Sequence, residues 1–179
     1  IMKEDGTMAR RDDLDIFAAK HDMKQVYISD LVEYRLSHEK LVEEISSTNS
    51  KFFSSNVIKK EFKDHLGNVH TAIIFGEIKQ ISPIKFHTIG SDINLFLNNE
   101  KLNSMLKTIN FLEAKGGILI FLSDEMRNKE SQKDYGIGAQ ILNCLNIKQI
   151  KLMTSGGKHS FVGLQGFGLE IVEEIQIEC

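Results

Sequence analysis

Two segments of the sequence carry residue types that could do chemistry, and the first is a glycine-rich turn. It runs Thr154-Ser155-Gly156-Gly157-Lys158-His159, between a predicted strand and a predicted helix. Such a turn can present backbone N–H groups to a phosphate, and Lys158 adds a positive charge. The glycine spacing is not that of a P-loop, so an ordinary turn is the more common interpretation and anion binding the less common one.

The second segment, residues 123–134, crowds acidic and basic side chains together. Surface ion pairs contribute little stability, so a solvated loop is its simplest interpretation. The six histidines are scattered along the chain, and none stands in the i, i+4 pair that would suit a metal. The two cysteines, Cys144 and Cys179, are too few for a disulfide framework or a zinc site of several thiolates. Because Cys144 lies on the apolar side of its predicted helix, we expect a buried and unreactive thiol.

The composition excludes several classes of protein. The chain has 179 residues, of which 41% are hydrophobic and 26% charged, which is typical of a globular domain and too apolar for a disordered chain. A net charge of -3 gives no electrostatic case for binding nucleic acid or an anionic membrane. The longest apolar run, residues 117–122, is too short to span a bilayer, and no signal peptide is visible. We therefore expect a cytoplasmic protein.

Predicted strands alternate with predicted helices, which indicates a mixed α/β domain. The small polar stretch 46–50 is predicted to be a linker. The best-defined element is an amphipathic helix over 99–115, which Gly116-Gly117 should end. The other predicted helices cover 12–21, 29–41, 137–145 and 161–164, and the predicted strands cover 25–28, 57–63, 69–78, 81–89, 118–122, 149–153 and 169–177.

The beginning of the chain resembles a known enzyme. The string Glu4-Asp5-Gly6-Thr7-Met8-Ala9-Arg10, with the segment 28–35 that follows the first helix, resembles the C-terminal end of 3,4-dihydroxy-2-butanone 4-phosphate synthase, a riboflavin-biosynthesis enzyme. The resemblance implies that the magnesium-dependent active site of that family belongs to residues upstream of this match. It also implies that this segment is a remnant whose strand and helix have lost their sheet partners.

A second resemblance covers the rest of the chain. The string Lys133-Asp134-Tyr135-Gly136-Ile137-Gly138-Ala139-Gln140-Ile141-Leu142 and the segment 163–173 resemble the C-terminal part of GTP cyclohydrolase II, and the match runs with gaps from about Val57 to Ile175. The two resemblances, in this order, match a bifunctional fusion of the two enzymes. They imply a cyclohydrolase II-like fold with a mixed sheet and flanking helices. They also imply a synthase remnant over 1–45, a linker over 46–55 and a cyclohydrolase-like domain over 56–179.

The resemblance also implies where catalytic zinc would bind, and this sequence departs from the family there. The family holds zinc with three cysteines, and in the matched positions stand Gly90, Asn98 and Glu100. Glycine offers no side-chain ligand, and an amide oxygen is a poor substitute for a thiolate. We therefore expect no metal and no other cofactor in this chain.

The positions matched to nucleotide contacts and catalysis are partly retained. Glu125 and Arg127 stand in the family's nucleotide loop, and Thr154 and Lys158 are kept in the turn that holds the nucleotide. The catalytic arginine is replaced by Lys133, which cannot reproduce a guanidinium fork. The remaining differences are Ser131 in place of an acidic residue and the loss of the segment that carries the catalytic tyrosine.

These departures predict an inactive cyclohydrolase-like domain that serves a structural, dimerising or partner role for the synthase. A homodimer and the synthase domain are the partners that the resemblance implies, with GTP or a related nucleotide bound weakly if at all. One alternative is a working cyclohydrolase, which releases formate and pyrophosphate from GTP, with a different metal set of His87, Asp92 and Glu100. Another is a regulatory nucleotide-binding module that uses the four retained nucleotide residues.

Overall fold

The computed structural model describes residues 1–3, 5–27, 30–31, 34–35, 39–123, 132–155 and 168–177, with the side chains of residues 92 and 132–135 left aside. The chain divides into two compact units, Ile1–Arg35 and Leu36–Cys179. No helix in the described ranges has the length and apolar character needed to cross a membrane.

The first unit is built around one helix. Helix α1 (Arg11–Lys20) begins where Asp13 Oδ2 accepts the backbone N–H of Arg10 at 2.9 Å, and it has no buried residue. The Tyr27 hydroxyl donates to Asp15 at 2.8 Å, and the Arg11 guanidinium lies 4.3 Å from the centre of the Tyr27 ring. The predicted helix over 12–21 is confirmed, whereas residues 25–27, predicted as strand, form none.

The second unit is a seven-stranded mixed sheet with helices on both faces, which confirms the predicted fold class. The strand order is β1-β2-β3-β5-β4-β6-β7; the pairs from β1 to β5 are antiparallel and those from β5 to β7 are parallel. The strands are β1 (Val42–Phe52), β2 (Ser55–Asp64), β3 (Val69–Phe75), β4 (Ile81–Thr88), β5 (Gly117–Leu122), β6 (Gln149–Thr154) and β7 (Glu170–Gln176). The helices are α2 (Asp92–Phe96), α3 (Asn99–Lys115) and α4 (Gln132–Cys144).

The two faces of the sheet are covered by different helices. Met105, Ile109 and Leu112 of α3 pack with Leu119 of β5 in one apolar cluster. On the opposite face, α4 approaches β4 so closely that a Cβ atom built on Gly138 would lie 2.5 Å from the Phe86 ring. Because successive side chains of each strand point to opposite faces, the sheet packs against an apolar layer on each side. The second unit is therefore a three-layer α/β/α arrangement.

The predicted linker over 46–55 is wrong, because these residues form the end of β1, a tight turn and the start of β2. Ser46 pairs with Glu61 and Phe52 with Ser55 in a long hairpin. The strand lies at the edge of the sheet and most of its residues are exposed, so it needs few apolar side chains. The compact unit begins at residue 36, ahead of the predicted boundary at 45.

Several other predictions are settled by the described ranges. The helix predicted over 99–115 is confirmed at both ends, and Gly116 follows it with φ 78°. Helix α4 starts earlier than the predicted 137–145, and α2 was not predicted at all. The helix predicted over 161–164 lies outside the described residues.

Candidate functional site

The candidate site lies at one edge of the sheet. Because β4, β5, β6 and β7 are parallel, they end on the same side, after Thr88, Leu122, Thr154 and Gln176. Ligands of open α/β sheets bind beyond the carboxyl ends of parallel strands. Gly90 follows β4 and Thr154 ends β6, so the fold brings these two predicted positions to one edge.

The three positions matched to zinc ligands lie between β4 and the start of α3. Gly90 is exposed, and Glu100 is an exposed residue in the first turn of α3. Asn98 is the N-cap of α3, and its Oδ1 atom accepts the backbone N–H of Lys101 at 2.9 Å. The amide oxygen is therefore already used by the helix, and a single carboxylate remains. This donor set does not fit a zinc ion.

Of the alternative metal ligands His87, Asp92 and Glu100, the structure describes the side chains of His87 and Glu100. His87 lies on the α3 side of β4, half-buried, with its ring 5.6 Å from the ring of Phe121. Burial lowers the pKa of His87, and the charges of Lys85 and Lys101 lower it further. The side chain of Asp92 is not described. Among the side chains that are, no three of His, Cys, Asp or Glu stand together as a metal site would require.

Most of the positions matched to nucleotide contacts or to catalysis lie outside the described residues. These are Glu125, Arg127, Ser131 and Lys158. The backbone of Lys133 belongs to α4, and its side chain is not described. The carbonyl of Thr154 accepts the N–H of Ile177 at 2.8 Å, which ties the end of β6 to the end of β7.

Lys85 is a polar residue at this edge that the sequence analysis missed. It is buried in β4, only 8% exposed, and its Nζ atom donates to Ser155 Oγ at 2.9 Å. A lysine is rarely buried without partners, because its ammonium loses hydration. The bond places a positive charge beside the first residue after β6. The signal in the sequence was a lysine between two large apolar residues of a predicted strand, Ile84-Lys85-Phe86.

A buried histidine network lies next to the segment that follows β5. His70 Nδ1 accepts the backbone N–H of Ser123 at 3.1 Å, and His70 Nε2 lies 3.3 Å from Asp64 Oδ2. Since Nδ1 is an acceptor, the proton sits on Nε2, which donates to Asp64. The side chains of both residues are 3% exposed. His70 thus fixes the residue immediately before segment 124–131.

Asp64 collects several donors in this network. Its carboxylate accepts the backbone N–H groups of Leu66 and Asn68 at 2.9 and 2.8 Å, and the Asn68 side-chain amide at 2.9 Å. Burial raises the pKa of Asp64, but the bonds from Asn68, His70 and Leu66 outweigh it and hold the pKa below its ordinary value. A serine, a histidine and an aspartate lie together here, but they are not arranged as a catalytic triad. Ser123 contributes its backbone, so no nucleophile is activated.

Two further features are a cysteine of low reactivity and a cavity that lies away from this edge. Cys144 is half-buried with Sγ 3.7 Å from the Val42 carbonyl, and burial raises the pKa of its thiol, in line with the predicted unreactive cysteine. An open cavity lies at the other end of the sheet, where Phe75 of β3 pairs with Gly117 of β5. Its lining includes Asn49, Asn56, Ile58, Ile74 and Gly76.

Comparisons with known proteins bear on this edge and on the whole chain. The GTP cyclohydrolase II family model matches residues 124–176. The chain is 44% identical over 177 residues to a 3,4-dihydroxy-2-butanone 4-phosphate synthase of Sulfurospirillum multivorans, covering 99% of this chain and 50% of that one. It is 32% identical over 214 residues to the riboflavin biosynthesis protein RibBA of Aquifex aeolicus, covering 99% and 52%.

The same relationship holds in three dimensions. The crystal structure of RibBX, a two domain 3,4-dihydroxy-2-butanone 4-phosphate synthase from A. baumannii, matches with a TM-score of 0.73 and 29% identity over 98% of this chain and 52% of that one. The chain spans about half the length of the relatives it matches. It is therefore similar, over nearly all its own length, to half of proteins named 3,4-dihydroxy-2-butanone 4-phosphate synthase, and its residues 124–176 match the GTP cyclohydrolase II family model.

Proposed function

We propose that this chain is a cyclohydrolase II-like domain of a riboflavin-biosynthesis protein, with the end of a synthase domain before it, and that it no longer opens the ring of GTP. Its relatives are named as synthases or as RibBA, and the cyclohydrolase match includes β6 and β7, whose carboxyl ends lie at the candidate edge. In this proposal residues 1–45 are the synthase remnant and residues 56–179 the cyclohydrolase-like domain.

The observation that carries the proposal is the use of Asn98 as a helix cap. Its Oδ1 atom accepts the backbone N–H of Lys101 at 2.9 Å. Gly90 has no side chain that could bind a metal, and Glu100 offers one carboxylate. In the family, zinc would supply an activated water for the attack that opens the ring. Without that ion, water keeps a pKa far above neutral and attacks poorly. Lys133 at the matched arginine position further weakens the case for turnover.

The retained fold supports a structural or partner role. In the part of the chain that the structure describes, both faces of the sheet carry buried apolar side chains, and Ile118, Leu119 and Ile120 are fully buried. The first unit, in contrast, exposes large apolar side chains such as Ile16 at 70% and Val26 at 72%. Contiguous apolar surface marks a contact site, and we propose that these side chains belong to one. We assign it to the synthase half of the parent protein, which would act as a cytoplasmic homodimer.

The second candidate is nucleotide binding without turnover. The buried Lys85 ammonium beside Ser155 favours it, because a positive charge at the carboxyl edge suits a phosphate. In this version Glu125, Arg127, Thr154 and Lys158 are the other contacts. Calorimetric titration of GTP into the chain and into the Lys85→Met variant distinguishes the two. Heat of binding that the variant loses supports the second candidate, and no heat at millimolar GTP removes it.

The test of the main proposal is formate release from GTP with zinc supplied. We expect no formate above the rate of a blank without protein. A cyclohydrolase II with all three cysteines serves as the positive control under the same conditions. Sustained formate release by the purified chain, abolished by a chelator, would overturn the proposal.

A further inference from the structure

Strand β1 is the first strand in the order of the seven-stranded sheet, and so forms one of its edges. Among the described strands it pairs only with β2. It has 11 residues, and residues 47–51 are exposed. Its centre, Ser46-Ser47-Thr48-Asn49-Ser50, is small and uncharged. An edge strand with free N–H and C=O groups can add another strand unless charge, proline or length prevents it.

We propose that β1 pairs antiparallel with β1 of a second copy of this chain, about a two-fold axis at Thr48. The proposal deepens the dimerising role in the proposed function and rests on it. In such a pairing both copies offer the same surface, so every contact occurs twice. The two sheets become one continuous sheet, with like faces of the two copies on the same side.

The register follows from the irregularity in β1. Glu44 pairs with Phe62 and Ser46 with Glu61, so Glu44 and Ser46 occupy neighbouring positions on the ladder and Ile45 is bulged. Counting outward from Thr48 on this ladder, Ser47 lies opposite Asn49 and Ser46 opposite Ser50. The next position brings Glu44 opposite Lys51.

The two charged residues also point to the same side of the sheet. Glu44 pairs with Phe62 of β2, and Lys51 pairs with Asn56 of β2. Phe62 pairs with His70 of β3, and Ile58, which lies two residues after Asn56, pairs with Ile74 of β3. His70 and Ile74 are four residues apart in β3, so all these positions share a face. Residues directly opposite in antiparallel strands interact, and opposite charges stabilise the pair.

The neighbouring registers lack this complementarity. With the axis at Ser47, Lys51 would face Val42 and Glu44 would face Asn49. With the axis at Asn49, Lys51 would face Ser47. Glu44 already bonds Lys60 through both carboxylate oxygens at 2.9 Å. The Thr48 register therefore places one carboxylate between Lys60 of its own chain and Lys51 of the second copy, at both ends of the interface.

Cysteine cross-linking tests this register. In the full chain with Cys144→Ala and Cys179→Ser, the Thr48→Cys variant should form a disulfide-linked dimer under mild oxidation, because opposite Cβ atoms lie about 4.5–5.5 Å apart. The matched control is Ser50→Cys, on the same strand and face, whose copies would be separated by about 14 Å along the strands. Equal cross-linking of the two variants, or none in either, overturns the proposal.

Charge reversal provides a second measurement with wild-type cysteines. Lys51→Glu should raise the dimer dissociation constant about tenfold in sedimentation equilibrium, since two like-charge contacts replace two attractive ones. Adding Glu44→Lys and Lys60→Glu restores both charge pairs and should restore the dimer. A monomeric wild-type chain, or a triple variant no tighter than Lys51→Glu, contradicts the interface. Formate release is measured separately, so failure of this interface and failure of the proposed function are distinguishable.

Discussion

Asn98 Oδ1 accepts the backbone N–H of Lys101 at 2.9 Å, so the residue matched to a zinc cysteine caps helix α3 instead. A helix begins with unpaired N–H groups, and an asparagine side chain is among the best partners for one of them. The position matched to a metal ligand thus contributes to folding.

The cap predicts a measurable loss of stability. The Asn98→Ala variant should lower the free energy of unfolding in urea by about 1 kcal/mol, because an N–H of the first turn loses its partner. Asn99→Ala is the matched control, since Asn99 is the adjacent exposed residue inside the helix and does not cap it. Equal losses in both variants would show that Asn98 does not stabilise α3 as a cap.

The Asp64 network predicts a pH-dependent contribution. At pH 7 the Asp64→Asn variant should be less stable by about 2–3 kcal/mol, because the buried donors lose a charged acceptor. The folded pKa of Asp64 lies below its ordinary value of 3.8, so the contribution is complete above that pH and is lost as the pH falls through the folded pKa. The deficit should therefore shrink in unfolding curves measured below pH 4.

Exposed His65, in the same turn, provides the control for that experiment. His65→Ala should change the free energy of unfolding by less than about 0.5 kcal/mol at either pH. A deficit for Asp64→Asn that stays constant down to pH 2 would contradict the assigned ionisation.

The close approach of α4 to β4 predicts coupling between Gly138 and Phe86. A Cβ atom at Gly138 would lie 2.5 Å from the Phe86 ring, so Gly138→Ala should cost about 1–2 kcal/mol despite the better helix propensity of alanine. Phe86→Leu removes the ring edge. The double variant should therefore be more stable than the sum of the single effects predicts, and strict additivity in a thermal unfolding cycle would contradict the contact.

The parts of the fold that sequence could predict are those with an apolar pattern of their own. Helix α3 shows its stripe, Met105, Ile109 and Leu112, and a glycine stop, so its bounds could be predicted. Strand β1 could not, because an edge strand with a solvated surface needs no regular apolar alternation. Its Ser-Thr-Asn composition is also that of a linker.

The zinc positions of the candidate site stay a prediction from resemblance, and contacts between distant residues had no signal in the sequence. The resemblance places Gly90, Asn98 and Glu100 at those positions, whereas the capping role of Asn98 became visible only with the start of helix α3. Lys85 bonds Ser155 and His70 bonds Ser123, at separations of 70 and 53 residues in sequence. No local pattern reports such pairs, because they are created by the order of strands in the sheet.

Zinc content is the most direct test of the central claim that this domain has lost its metal donors. The wild-type chain and a Gly90→Cys/Asn98→Cys/Glu100→Cys variant are incubated with zinc, dialysed and measured by elemental analysis. We expect no retained zinc in the wild type and one ion per chain in the variant, because three thiolates would then stand where one carboxylate is now. One tightly held zinc ion per wild-type chain would contradict it.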